Sequence, residues 1–238
     1  LLGISVKLAG QNSRLHFNTI KKLVETFSPD IIFPLMDLTV EASALGRHTL
    51  FPVNDYPTVP KEKFYFEEIE KLKEIDISAD GRVNSYLETV RLMRRELPQE
   101  AVKGAYVTGP YTLSSLIMGA EDAAATALSS PKNLHRLCSL ASGKIIEYSN
   151  QLITSGAEVI CILEPSAVIL GPEQFQDFSV SYVSQIVACC QNQKANTIYH
   201  VCGNSMHLIE KMVNSGANGI SLDSNEAHVD LVQAAKKI

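Results

Sequence analysis

At 238 residues, 45% hydrophobic and 20% charged, the chain has the composition of a globular protein with a sizeable core. Its net charge of −5 argues against a nucleic-acid binder, which normally presents a basic face, and disfavours a heavily anionic substrate. Five unevenly spaced cysteines do not make a secreted disulfide framework and point to a reducing, cytoplasmic setting, and no apolar run approaches the roughly 20 residues of a membrane span.

The opening "LLGISVKLAG" has neither an initiator methionine nor the layout of a signal peptide, which suggests that the native N-terminus lies upstream. "HFNTIKKLVETF" sets Phe17, Ile20, Leu23, Val24 and Phe27 on one helical face, and Ser28-Pro29 stops it. "DIIFPLM" reads as a buried strand with Asp37 at its C-terminal end. Between Phe51 and Asp80, prolines and a charged run suggest an excursion holding a short helix. "NSYLETVRLMRREL" is an amphipathic helix and "GAYVTGP" a strand ending in a turn.

A long helix follows from Ser130-Pro131 to Gly156. Then come strand "EVICILEPSA", helix "GPEQFQDFSVSYVSQIVACCQNQ" with proline in its first turn, and strand "ANTIYHVCGN". Helix "SMHLIEKMVNSGA", strand "NGISLDS" and helix "HVDLVQAAKKI" complete the chain. Ser-Gly-Ala recurs at 155–157 and 215–217, each time between a helix and a strand. Such alternation means βαβ units and a parallel sheet. No Gly-x-Gly-x-x-Gly or phosphate loop supports a nucleotide-binding open sheet. Polar residues instead sit at the strand ends: Asp37, Thr108, Glu164, His200 with Cys202, and Asp223. In a (β/α)8 barrel those ends build the active site. Five or six strands are readable where a barrel has eight, so the expectation is a single (β/α)8 barrel domain over 1–238, incomplete in this chain.

His200 and Cys202, two apart on a strand, point to the same side. Imidazole and thiolate are preferred zinc ligands, but two ligands are not a site, and a buried histidine beside a structural cysteine gives the same spacing. Asp37 and Glu164 read more readily as capping or turn residues than as active-site acids, although barrel strand ends are where function concentrates. Asp223 lies one strand beyond the pair, near enough to reach the same metal or to orient its histidine. Cys161 reads as core, as do Cys138, Cys189 and Cys190 on helices, and His16, His48, His135, His207 and His228 have no partner at ligand spacing.

Four stretches carry a family resemblance: "DIIFPLMDLTVEASALG", "TGPYTLSSLIMG", "LEPSAVILGPEQFQDF" and "HVCGN…GANGISLDS". The chain resembles the uroporphyrinogen decarboxylase superfamily, and within it the methylcobamide:coenzyme M and related corrinoid-dependent methyltransferases. His-x-Cys-Gly-Asn is the most specific match. The resemblance implies a distorted (β/α)8 barrel, with Zn2+ on His200 and Cys202 completed by a second cysteine well downstream, although no cysteine follows Cys202 here. It implies Asp37 as a polar pocket residue and Asp223 as an additional ligand or orienter.

In the methyltransferase branch the expected activity is transfer of a methyl group from a methylcorrinoid, carried by a partner corrinoid protein, to a thiol such as coenzyme M. Zinc would hold the acceptor sulfur as thiolate. Two other readings stand beside it. One is cofactor-free decarboxylation of a tetrapyrrole, with Asp37 engaging the pyrrole N–H groups. Against it, Leu116 stands where those enzymes carry a tyrosine, and their arginine-rich N-terminal motif is not visible. The other is a non-catalytic barrel that binds a corrinoid protein.

Overall fold

The computed structural model describes residues 3–53 and 55–238. Five parallel strands are hydrogen-bonded in chain order: β1 (Ile31–Ile32), β2 (Val102–Thr108), β3 (Val159–Leu163), β4 (Asn196–Val201) and β5 (Gly219–Leu222). Each crossover moves one strand further in the same direction. A doubly wound sheet reverses its strand order at a switch point, whereas a barrel does not. The sheet is therefore five strands of an α/β barrel wall, the incomplete barrel expected from the alternation.

Side-chain period makes the two faces different. Along β4, Thr197, Tyr199 and Val201 are buried, while Ile198 and His200 are only half-buried. The buried face, continued by Ala105 and Val107 of β2 and Ile160 and Ile162 of β3, packs with helices Pro110–Met118, Pro131–Ser155 and Ser181–Asn192. The other face carries register-matched layers, Tyr106–Cys161–Ile198 and above it Thr108–Leu163–His200–Ser221. A smaller core forms where helix Ser13–Phe27 lays Phe17, Ile20 and Val24 against Leu92, Met93 and Leu97.

Some elements are shorter than their apolar pattern suggests. Of "DIIFPLM" only Ile31–Ile32 pairs as strand. Pro34 has no N–H to donate, and the N–H of Leu35 goes to His16 Nε2 at 2.8 Å instead of to a ladder. Asp37 therefore lies in the segment that follows β1 and not on the strand itself. The helix expected over 205–217 is α-helical only at Ile209–Val213, after turns through Ser205 and Leu208. The last helix spans Leu231–Ala235, with Asp230 accepting from the N–H groups of Val232 and Gln233. Between the α-helical segments Pro172–Phe175 and Ser181–Asn192, the helix widens to a π-turn at Gln176–Val180.

Candidate active site at the carboxyl ends of the strands

His200 lies at the end of β4 on the half-buried side, and Ser221 is its register partner on β5. Its Nδ1 lies 3.0 Å from Ser221 Oγ. The Ser221 hydroxyl can accept from Nδ1–H, which leaves the Nε2 lone pair free, or donate to Nδ1, which puts the proton on Nε2. Burial lowers the His200 pKa, partly offset by the nearby Asp223 carboxylate, so neutral imidazole is favoured. Cys202 stands just past the strand end. Burial raises its thiol pKa and Asp223 adds to the rise, which holds sulfur protonated in the metal-free chain.

The turn after Cys202 depends on Gly203, at φ +77°, a conformation L side chains rarely adopt. Its N–H donates to Asp223 Oδ2 at 2.8 Å, and the N–H of Ser224 donates to Oδ1 at 2.7 Å. These bonds pull the Asp223 pKa down. Asp223 thus ties the end of β5 to the turn carrying Cys202. Among the described residues no group of three or more His, Cys, Asp or Glu is placed to hold a metal ion. A neutral imidazole and a cysteine sulfur, once deprotonated, are donor types that zinc takes, and Ser221 orients the His200 ring through Nδ1.

Two glutamates are buried beside this rim. Glu164, at the end of β3, is fully buried and takes three donors: Tyr111 N–H (3.0 Å), Thr112 N–H (2.7 Å) and Ser179 Oγ (2.7 Å). Its carboxylate sits on the N-terminus of helix Pro110–Met118, where negative charge is favoured. Burial raises its pKa and these donors pull it back. Gly109 is what permits the approach, since a Cβ there would overlap Glu164 Cγ and Cδ. Glu41, in helix Val40–Ala44, accepts the Thr108 N–H at 2.7 Å, and burial lifts its pKa to about 7.

Asp37 is not an open carboxylate. Its Oδ1 accepts from Thr39 N (2.9 Å) and Thr39 Oγ1 (2.8 Å), and its Oδ2 pairs with the Arg82 guanidinium. Arg82 also stacks on the Phe51 ring, 4.7 Å from its centroid. Neither Arg82 nor Glu41 stands out from sequence alone. Arg82 sits on a helix 45 residues away from Asp37 with nothing local to mark it. Glu41 falls inside the Val-Glu-Ala stretch, which does hint at it.

Of the other residues weighed, Cys138, Cys161 and Cys190 are buried with thiol pKa values pushed up to about 12, consistent with core packing. Cys189 is half-buried and its thiol donates to Asn150 Oδ1 at 3.2 Å. His135 bonds Tyr182 Oη at 2.9 Å, and His207 bonds the Leu170 carbonyl at 3.1 Å.

The uroporphyrinogen decarboxylase (URO-D) family model matches residues 3–238. The chain belongs to this family. Curated relatives fall into both of its branches. The chain is 27% identical over 207 residues to the methylcobamide:CoM methyltransferase MtbA of Methanosarcina acetivorans, a match covering 85% of this chain and 59% of that protein. It is 26% identical over 246 residues to a uroporphyrinogen decarboxylase of Prochlorococcus marinus, covering 98% of this chain and 68% of the relative. The chain thus spans about three fifths of the length of the methyltransferases it matches. A solved methyltransferase from Methanosarcina mazei superposes with a TM-score of 0.90 at 22% identity, over all of this chain and 70% of the other, which establishes the shared URO-D-type barrel fold.

Proposed function

We propose that this URO-D family member is a zinc-dependent methyltransferase moving a methyl group from a methylcorrinoid, held by a partner corrinoid protein, to a thiol acceptor such as coenzyme M. The observation that carries the reading is His200 at the end of barrel strand β4 with Cys202 just past it, the imidazole held by Ser221 through Nδ1. The methylcobamide:CoM methyltransferases among the relatives support it. Zinc, when bound, supplies charge that removes a coordinated thiol's proton at neutral pH.

The chain's own residues do the rest. Cys202 and His200 would hold the metal, Ser221 orients the imidazole through Nδ1, and Asp223 anchors the Cys202–Gly203 turn. Asp37 contributes a polar wall already neutralised by Arg82. That neutralisation weighs against the decarboxylase reading: both Asp37 oxygens accept donors within the protein, and Arg82, spent on Asp37, is not free for a substrate carboxylate.

The test is demethylation of methylcobalamin by the reduced protein supplied with zinc and coenzyme M. Thiol-dependent loss of the methylcobalamin spectrum is expected, falling by roughly 100-fold or more in His200→Ala and Cys202→Ser, which lose the metal's activation of the thiol. Decarboxylation of uroporphyrinogen with no methyl transfer, or full activity in both variants, would overturn the assignment.

A further inference from the structure

Glu164 reaches β4 by two routes. Its backbone N–H donates to the His200 carbonyl at 2.9 Å, and its side chain accepts Ser179 Oγ, which lies 2.6 Å from Tyr199 Oη. With Glu164 ionised, the directions along this chain follow from counting hydrogens. Ser179 has one hydroxyl hydrogen and gives it to the carboxylate, so Tyr199 must donate to Ser179. Tyr199, Ser179 and Glu164 are each fully buried, so the relay has no water to substitute for a lost partner.

Ser179 owes its place to an irregularity. It lies in the π-turn Gln176–Val180, a rare geometry that adds a residue to the helical turn and re-aims the side chains around it. Tyr199 and His200 are neighbours on one strand and so point to opposite faces. Pinning the tyrosine hydroxyl on the covered face fixes the rotation of the strand end, and with it the direction of the imidazole on the open face.

We propose that Glu164 is a positioning residue for His200, acting through Ser179 and Tyr199 to hold the imidazole against Ser221 and beside Cys202. The proposal deepens the metal-site reading and rests on it for its functional meaning, while the geometric claim concerns His200 alone.

The experiment uses Tyr199→Phe, which removes only the hydroxyl, alongside Glu164→Gln, which turns one acceptor edge into an N–H facing the Thr112 N–H. In the metal-free protein, the imidazole 15N shifts of His200, set by its contact with Ser221, should change in both Tyr199→Phe and Glu164→Gln. Those of His135, bonded to Tyr182 elsewhere, should stay put. In a titration with Co2+, read by the thiolate-to-cobalt band, Tyr199→Phe should bind about 10-fold or more weakly, the usual effect of losing a partner behind a ligand. Unchanged His200 shifts in Tyr199→Phe or in Glu164→Gln would overturn the positioning role whatever the metal result. If the unmodified protein shows no cobalt–thiolate band, the metal-site reading fails, and the His200 shifts still decide the inference.

Discussion

Glu41 and Glu164 are both buried beside the ends of neighbouring strands, yet their partners suit opposite protonation states. Glu164 meets only donors, as a carboxylate requires. At Glu41 the count differs. Thr108 Oγ1 lies 3.0 Å from both the Leu38 carbonyl and Glu41 Oε2, but it has one hydrogen to give. Both contacts are satisfied if Thr108 donates to Leu38 and a protonated Glu41 donates to Thr108. Burial, reinforced by the Asp37 charge, agrees by lifting the Glu41 pKa from 4.5 to about 7.

The folded state then binds more protons than the unfolded state between those values. This group's contribution to stability is therefore full below pH ~4.5 and is lost as pH rises through about 7. Glu41→Gln reproduces the protonated geometry with an N–H in place of the O–H. Its unfolding free energy at pH 8 should equal or exceed that of the parent. Urea unfolding from pH 5 to 8 should show a flatter decline in the variant, and an identical pH dependence in the two proteins would contradict a proton on Glu41.

At the scale of elements, the strand ends are joined by close approaches more than by regular pairing. Helix Pro110–Met118 begins against Glu164 only because residue 109 has no side chain. Gly109→Ala would force that helix or the carboxylate aside, breaking bonds to Tyr111 and Thr112. A loss of at least roughly 1–3 kcal/mol is expected from such overpacking. It should appear as a lower urea midpoint with an unchanged slope, and a variant as stable as the parent would show that the helix can shift freely.

The same elements show what the sequence could and could not disclose. The alternation of strands and helices was legible because parallel strands under helices are continuous apolar runs, as in "VICIL" and "GAYVT". The places of His200 at the end of β4, and of Cys202 and Asp223 just past β4 and β5, were legible from strand position. The short β1 was not, because the diversion of the Leu35 N–H to His16 is a contact between elements 19 residues apart. Nor was the Asp37–Arg82 pair, whose partners no local pattern links. The π-turn at Gln176–Val180 likewise leaves an unremarkable helical pattern in the sequence, since the bond it serves, from Ser179 to Glu164, crosses the fold.

For the molecule as a whole, five parallel strands wind in one direction and present their C-terminal ends along one rim. That rim gathers His200, Cys202 and Asp223 at β4 and β5, the buried glutamates at β2 and β3, and the Asp37–Arg82 pair beyond β1. Family membership is compatible with more than one chemistry. What separates them is the metal. The most direct measurement is the zinc content of the reduced, purified protein, with and without its candidate ligands. The expected result is about one zinc per chain, lost in both His200→Ala and Cys202→Ser. A protein that takes up no zinc when reduced and supplied with it, or variants that keep it, would contradict the assignment.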